Sequence, residues 1–187
     1  MTAHGVRRAQ ADFGKIAGVT LRLRPLRLDD EAAATHAHAE LAKDDFTFLL
    51  DWDATQPWAA YLHRLDEVRR GIDLPADRVR ATFLAAVVGN DLVGRVSIRH
   101  ELNDYLRDFG GHIGCGVRPG FRRRGFAGEI LKHALVVARA VGVERVLVTC
   151  DEDNRPSAKI IERSGGVLED VRTDDADGVR KCRYWID

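Results

Sequence analysis

The chain has 187 residues, with 29 Lys and Arg against 29 Asp and Glu, a formal net charge of zero at pH 7. That length predicts one domain with a proper core, and the balanced charge excludes a global field drawing the chain to nucleic acid or to a membrane surface. Hydrophobic content is 45%, and no apolar run reaches transmembrane length. The three cysteines, Cys115, Cys150 and Cys182, are odd in number and widely spaced, with no C-x-x-C pair. This fits a reducing, cytoplasmic setting and argues against a disulfide framework or a zinc finger.

Residues 1–18 read as a loose N-terminal extension, with the folded domain spanning 19–187. Arg7-Arg8 is not a twin-arginine signal, because the following "AQADFGKIAG" is too polar for the apolar core such a signal needs. "VTLRLRPL" alternates apolar and basic residues and predicts a half-buried strand over Val19–Leu26, with Arg22 and Arg24 on its solvated face. Asp29 or Asp30 is then placed to cap an alanine-rich helix running to about Ala42. A longer connection, "KDDFTFLLDWDATQPW", leads to a second helix with Trp58, Leu62, Leu65 and Val68 on one side and Thr55 as its cap. "RATFLAAVVGNDLVGRVSIRH" reads as two strands joined at Gly89-Asn90-Asp91, a hairpin signal. In the second strand Val96, Ile98 and His100 share a face, and Ser97, Arg99 and Glu101 share the other.

"HIGCGV" is a short strand unusually rich in glycine, which predicts a bulge or the close approach of another backbone or a ligand. The next helix carries a stripe of Phe126, Ile130, Ala134, Ala138 and Val141. "ERVLVTC" (Glu144–Cys150) is a nearly continuous apolar run, as a central, doubly covered strand requires. "NRPSAKIIERSGG" is a short helix capped by Asn154, with Pro156 in its first turn and Gly165-Gly166 at its end. The tail is a hairpin turning at Asp177-Gly178. The predicted order is strand, two helices, three strands, helix, strand, helix, two strands. That is a single-domain α/β protein with a mixed sheet and helices on both faces.

"VRPGFRRRGFAGEILKHAL" (Val117–Leu135) crowds three arginines and two glycines at the head of an apolar helix. A strand, a glycine-bearing turn and a helix present unpaired N–H groups at the positive end of the helix dipole, where phosphate binds readily. Gly125 lets the chain approach a ligand with no Cβ in the way, Ala127 and Gly128 keep the first turn small, and Arg122–Arg124 add charge-assisted bonds. There is no G-x-G-x-x-G and no G-K-[ST] after a strand, which disfavours a nucleotide fold.

This stretch resembles the acyl-CoA-binding motif of the GCN5-related N-acetyltransferases (GNAT), Gln/Arg-x-x-Gly-x-Gly/Ala after a strand ending Val-x-Pro, with Arg122, Gly125 and Ala127 at the three places. "NRPSAKIIERSGG" resembles the family's second motif, with Asn154 and Ser157 matched. The element order matches as well, so the resemblance covers roughly residues 19–187. More narrowly, "SIRHELNDYLRDFGGHIGCGVRP" is similar to a bacterial group whose substrates are mostly unassigned.

The resemblance implies a mostly antiparallel sheet and an acetyl-CoA-dependent N-acetyltransferase using no metal, with acetyl-CoA and an amine acceptor as partners. It implies no nucleic-acid or membrane partner, and a homodimer is left open. Pantetheine would lie along the strand at Cys115, Gly116 and Val117, with Arg122, Arg123, Arg124, Gly125, Phe126, Ala127 and Gly128 around the pyrophosphate and Asn154 and Ser157 beside the cofactor. A backbone N–H near Val117 would steady the oxyanion. The competing readings are a non-catalytic acyl-CoA-binding sensor on the same fold and a phosphate- or nucleotide-binding module.

An attacking amine must lose a proton, and Glu101, His112 and His100 are the candidate bases, with His100 read more readily as structural. A metal at His100, Asp104, His112 and Cys115 is disfavoured, because His112 and Cys115 fall on opposite faces of a regular strand. Cys115 reads as a packing residue rather than a nucleophile. Many family members carry a tyrosine acid where this chain has Ile161, which leaves Ser157 and Asn154 as first candidates and Tyr184 and Tyr105 as more distant ones. Asp44, Asp45, Asp51 and Asp53 are expected to attract a cationic amine, with Phe46, Phe48 and Trp52 as pocket walls.

Overall fold

A computed structural model of the chain describes residues 20–175 and 178–187; the expected N-terminal extension and Asp177 of the final turn lie outside the described residues. Seven strands form one sheet in the order β1-β2-β3-β4-β5-β7-β6. They are β1 (Leu21–Arg24), β2 (Ala81–Val88), β3 (Asp91–Arg99), β4 (Ile113–Val117), β5 (Val146–Asp151), β6 (Val167–Thr173) and β7 (Arg180–Ile186). All neighbours are antiparallel except β4 and β5. The helices are α1 (Glu31–Leu41), α2 (Trp58–Arg70), α3 (Phe126–Ala140) and α4 (Arg155–Arg163). Both the element order and the mixed, mostly antiparallel sheet agree with the sequence reading. Among the described residues no helix is long and apolar enough to cross a membrane.

Two cores sandwich the sheet. On one face α3 and α4 pack Phe126, Ile130, Leu131, Ala134, Ala138 and Ile161 against Val96, Ile98, Val117, Val146 and Val148. On the other, Ala34, Ala37 and Leu41 of α1 and Trp58 and Tyr61 of α2 cover Phe83, Ala85 and Val87 of β2. Ala34 and Ala37 are fully buried, and their small side chains let α1 lie close to the sheet. Strands β2 and β3 join through Gly89-Asn90, with Val88 opposite Asp91 and Gly89 at φ 60°, as a two-residue hairpin turn requires.

Several local expectations change once the elements are packed. Asp30 precedes α1, but its carboxylate reaches back to Arg24 (2.6 and 2.8 Å) and to the Arg27 N–H (2.7 Å) instead of capping the helix. Arg24 is therefore an ion-pair partner and not merely solvated. The residue before α2 is Pro57, and Thr55 donates to Asp53 in a local turn. Tyr61, not Leu62, is the deeply buried residue of α2's middle, because the helix presents that edge to the sheet. Val141 falls just past α3 and is exposed, so the stripe ends at Ala138.

Candidate active site

β4 and β5 touch at one register pair, Ile113 with Val148, and separate beyond it. His112 holds that junction. Its N–H donates to the Leu147 carbonyl (2.7 Å), its Nδ1 accepts from the Leu147 N–H (2.9 Å), and the ring meets Trp185 edge-on. Burial, followed by the Arg99 and Arg107 charges, pushes the His112 imidazole down to about 4, so it is neutral at pH 7 with its lone pair already engaged. The sequence offered His112 as a base; the fold uses it as a pin.

That pin has a pH signature. The neutral imidazole is favoured in the folded state, so its stabilisation is fully present above the ordinary value of about 6.5 and is lost as pH falls towards 4. The shift corresponds to on the order of 3 kcal/mol. Wild type is expected to lose thermal stability steeply between pH 6.5 and 4, and His112→Gln to lose much less over that window. Parallel melting curves for the two across the window would remove His112 as the cause.

Further along β4 the alternation of the ladder decides what is free. The Arg99 N–H donates to the His112 carbonyl and the Arg118 N–H to the Val93 carbonyl, so Gly114, Gly116 and Arg118 direct their backbone groups to β3, while His112 divides its own, carbonyl to β3 and N–H to β5. Cys115 and Val117 then direct theirs into the opening beside β5, a strand edge ready for an extended ligand. No bulge interrupts the β3–β4 register, contrary to the expectation from Gly114 and Gly116. The glycines answer to close approach instead. A Cβ on Gly116 would stand 2.5 Å from the Phe46 ring, and one on Gly114 would stand 3.1 Å from the Arg99 guanidinium.

Those two neighbours belong to a layer the sequence did not disclose. Arg95 is 4% exposed, lies 4.4 Å from the Phe46 ring centre, and donates to the Gly114 (2.8 Å) and Thr47 (2.6 Å) carbonyls. Arg99 donates to the Gly110 (3.2 Å) and Gly111 (3.4 Å) carbonyls. One arginine thus ties the loop after α1 to the sheet and the other ties the loop before β4. Of the expected pocket walls, Phe46 stands on β4, Phe48 is core, and Trp52 packs edge-on against His38. The acids are largely engaged. Asp44 pairs with Arg122 (2.6 Å), Asp51 with Arg78 (2.5 Å), and Asp53 holds Thr55. The α1–α2 connection therefore does not present the free acidic patch its composition suggested.

The turn into α3 has the geometry of an anion cradle. Arg123 (φ 61°) and Gly125 (φ 81°) are left-handed, and no Cβ neighbour lies within 4 Å of Gly125. The first backbone bonds of the helix are from Gly128 and Glu129 to the Gly125 carbonyl, which leaves the Phe126 and Ala127 N–H groups without a partner among the described residues. Arg122 bridges the site to the strand by donating to the Val117 carbonyl (3.0 Å). Arg124 lies on the far side of the turn, where with Phe121, Phe126 and residues Val88–Asp91 it lines a cleft of about 400 Å³. Phe126 itself is buried in the core, so its contribution here is its backbone.

At α4, Asn154 caps the helix by accepting from the Ser157 N–H (3.2 Å), while the Ser157 hydroxyl makes no hydrogen bond among the described residues. Ile161 is buried in the core. Tyr184 is also buried; desolvation pushes its phenol up to about 12, and its hydroxyl lies 3.5 Å from Glu162. Tyr105 is 59% exposed beside Phe109. Glu101 is exposed just beyond β3, 3.4 Å from Arg80, and His100 meets the Thr82 hydroxyl at 2.8 Å, as a structural histidine does. The Cys115 thiol is pushed up by burial, an effect larger than the opposing charge of Arg95, so it is no ready nucleophile. Among the described residues no three His, Cys, Asp or Glu side chains converge as metal ligands.

A family model described as "Acetyltransferase (GNAT) domain" matches residues 20–167. No curated protein sequence gives a match. Among solved structures, the chain is similar to the ribosomal-protein-S5-alanine acetyltransferase from Vibrio fischeri (TM-score 0.64, 15% identity, covering 89% of this chain and 92% of that one). It is also similar to Mycobacterium smegmatis RimJ in complex with CoA-disulfide (0.64, 21%, 89% and 81%). A third is yncA from Salmonella typhimurium with its cofactor acetyl-CoA (0.59, 14%, 90% and 92%). At these identities the likeness is one of fold.

Proposed function

Because the chain belongs to the GNAT acetyltransferase domain family, we propose that it moves an acetyl group from acetyl-CoA to an amine by direct attack on the thioester. The observation that carries this reading is the continuity of two binding features. The free edge of β4, the Cys115 backbone and the Val117 N–H, runs straight into the anion cradle at the head of α3, where Arg122 holds the Val117 carbonyl. A ligand with an extended amide-bearing arm and a pyrophosphate matches that sequence of donors, and acetyl-CoA has this form. Acetyl-CoA supplies the activated acetyl group as co-substrate.

The roles assigned to the chain follow from what each group has free. The Phe126 and Ala127 N–H groups and the side chains of Arg122 and Arg123 hold the pyrophosphate, with Gly125 and Gly128 leaving room, while Arg124, expected there as well, is turned to the hairpin cleft. At the end of the arm away from the cradle, the Cys115 N–H donates to the thioester oxygen as negative charge develops there, two residues before the Val117 position first expected. Glu101 lies beyond the end of β3, several residues along from the partners of Cys115 and Val117, so the proton the amine must lose reaches it through water. The C–N bond forms, the C–S bond breaks, and the departing sulfur receives a proton. A thiol of ordinary pKa, about 8.5, leaves tolerably at neutral pH, so this last protonation assists without being indispensable. Ser157, with its hydroxyl uncommitted beside the Asn154 cap, is the assigned donor.

Acetyl-CoA binding by calorimetry and thiol release with a panel of amines test the reading together; binding without release for any amine would instead favour the non-catalytic sensor. Ser157→Ala is expected to lower kcat about tenfold to a hundredfold and to leave the acetyl-CoA KM nearly unchanged. Full kcat in Ser157→Ala, with a loss in Tyr184→Phe or Tyr105→Phe, would move the acid to a tyrosine.

A further inference from the structure

Among the described residues, two arginines on the inner face of β3 lack the carboxylate partners that every other partly or fully buried arginine has. Arg24 pairs with Asp30, Arg64 with Glu67, Arg118 with Glu40, Arg172 with Asp170, and the 3% exposed Arg183 with Asp170 and Glu169. Arg95 and Arg99, also at least partly buried, hydrogen-bond to backbone carbonyls alone. They share one face of β3, opposite Gly116 and His112 of β4. Two cations held together without an anion cost free energy that nearby carboxylates offset elsewhere in this fold. Burial accordingly pushes both guanidiniums down from their ordinary value, and each remains charged at pH 7.

The donors left over point to a use. Arg95 spends both terminal nitrogens on Gly114 and Thr47, and its buried Nε has no partner among the described residues. Arg99 spends one terminal nitrogen, so its Nε and its other terminal nitrogen keep their N–H groups, a fork suited to two oxygens of one anion. This guanidinium stands over Gly114, one residue from the Cys115 edge of the opening. Nothing along the free edge of β4 requires a cation there, since an acyl thioester is neutral.

We propose that the amine acceptor carries an oxyanion, a carboxylate or a phosphate, and that Arg99 receives it beside Gly114 while Arg95 and Phe46 hold the wall of that subsite. This deepens the acetyl-transfer reading and rests on it. It also reverses the charge expected from the acids of the α1–α2 connection, three of which are engaged elsewhere.

The test compares matched amines, each L-amino acid with its carboxamide and phosphoethanolamine with ethanolamine, in the thiol-release assay and by calorimetry with CoA present. The oxyanion-bearing member of an accepted pair should show at least about tenfold higher kcat/KM, the scale of one charge-assisted bidentate contact. The pair that responds, carboxylate or phosphate, names the source. Arg99→Gln should erase the preference by raising the acceptor KM while acetyl-CoA affinity stays within about twofold, and Arg99→Lys, which keeps the charge without the fork, should restore only part of it. Neutral amines turned over as well as their anionic partners would overturn this inference and leave acetyl transfer standing. Arg99-dependent binding of an anionic amine without thiol release would do the reverse. Neither binding nor release across the panel would overturn both. The wild-type comparison stands even if the variants fold poorly.

Discussion

Gly125→Val is expected to weaken acetyl-CoA binding by at least about tenfold, the largest single effect on cofactor affinity of any substitution in the cradle. Gly125 has φ 81° and ψ −6°, a left-handed conformation costing an L-residue with a Cβ about 1–2 kcal/mol. Nothing lies within 4 Å of the Cβ it would gain, so the substitution creates no clash inside the protein. What the side chain meets is the space a phosphate must enter, directly before the free Phe126 and Ala127 N–H groups. The melting temperature should drop by only a few degrees, in keeping with the backbone strain alone. Gly120→Ala, also in open space but without a left-handed backbone, is the control and should bind normally. If Gly125→Val titrates with acetyl-CoA as tightly as wild type, the pyrophosphate is not held here.

The second large effect concerns stability and the cleft wall together. Gly116→Ala puts a Cβ 2.5 Å from two atoms of the Phe46 ring, far inside any real contact. Either the ring or the strand must move, and the ring is held by Arg95 at 4.4 Å while the strand is held by its β3 ladder. Overpacking of this kind costs about 1–3 kcal/mol, and here it also pushes Phe46 away from the edge where the acetyl group is proposed to sit. Gly116→Ala should therefore melt several degrees lower and lose most of its thiol-release activity. Phe46→Ala removes the obstacle, so the double variant should regain stability relative to the sum of the single changes, a coupling readable from a double-mutant cycle. Additive melting shifts would mean that the two positions do not meet, and the reading of β4's glycines would fail.

These two glycines mark the boundary between what the chain declares locally and what packing adds. The tight hairpin at Gly89-Asn90, the Asn154 cap with Pro156 behind it, and the glycine-bearing turn into α3 depend on neighbours within a few residues, where dihedral preference and orphan N–H groups dominate. Apolar periodicity likewise reads through, because the stripe Phe126, Ile130, Ala134 and Ala138 must face something apolar whatever that is. With the element order, this was enough for the fold, the cradle and the family.

The sequence by itself thus determined which segments are helices and strands, the mixed sheet they build, and the glycine-bearing turn at the head of α3 that is proposed to hold an anion. Only the tertiary structure decided which side chains stand beside that turn and along β4. Period-two alternation puts Arg95 and Arg99 on one face of β3, but their partners are the Thr47 carbonyl 48 positions upstream and the Gly110, Gly111 and Gly114 carbonyls across a loop. The acids Asp44 and Asp51, read as a free patch, find Arg122 and Arg78 from other elements. His112, a base by residue type, has its lone pair taken by the Leu147 N–H 35 positions away. Charge and hydrogen-bonding capacity are properties of a residue, but their availability depends on which groups arrive within about 3 Å, and in a sheet with non-local neighbours that is set by packing.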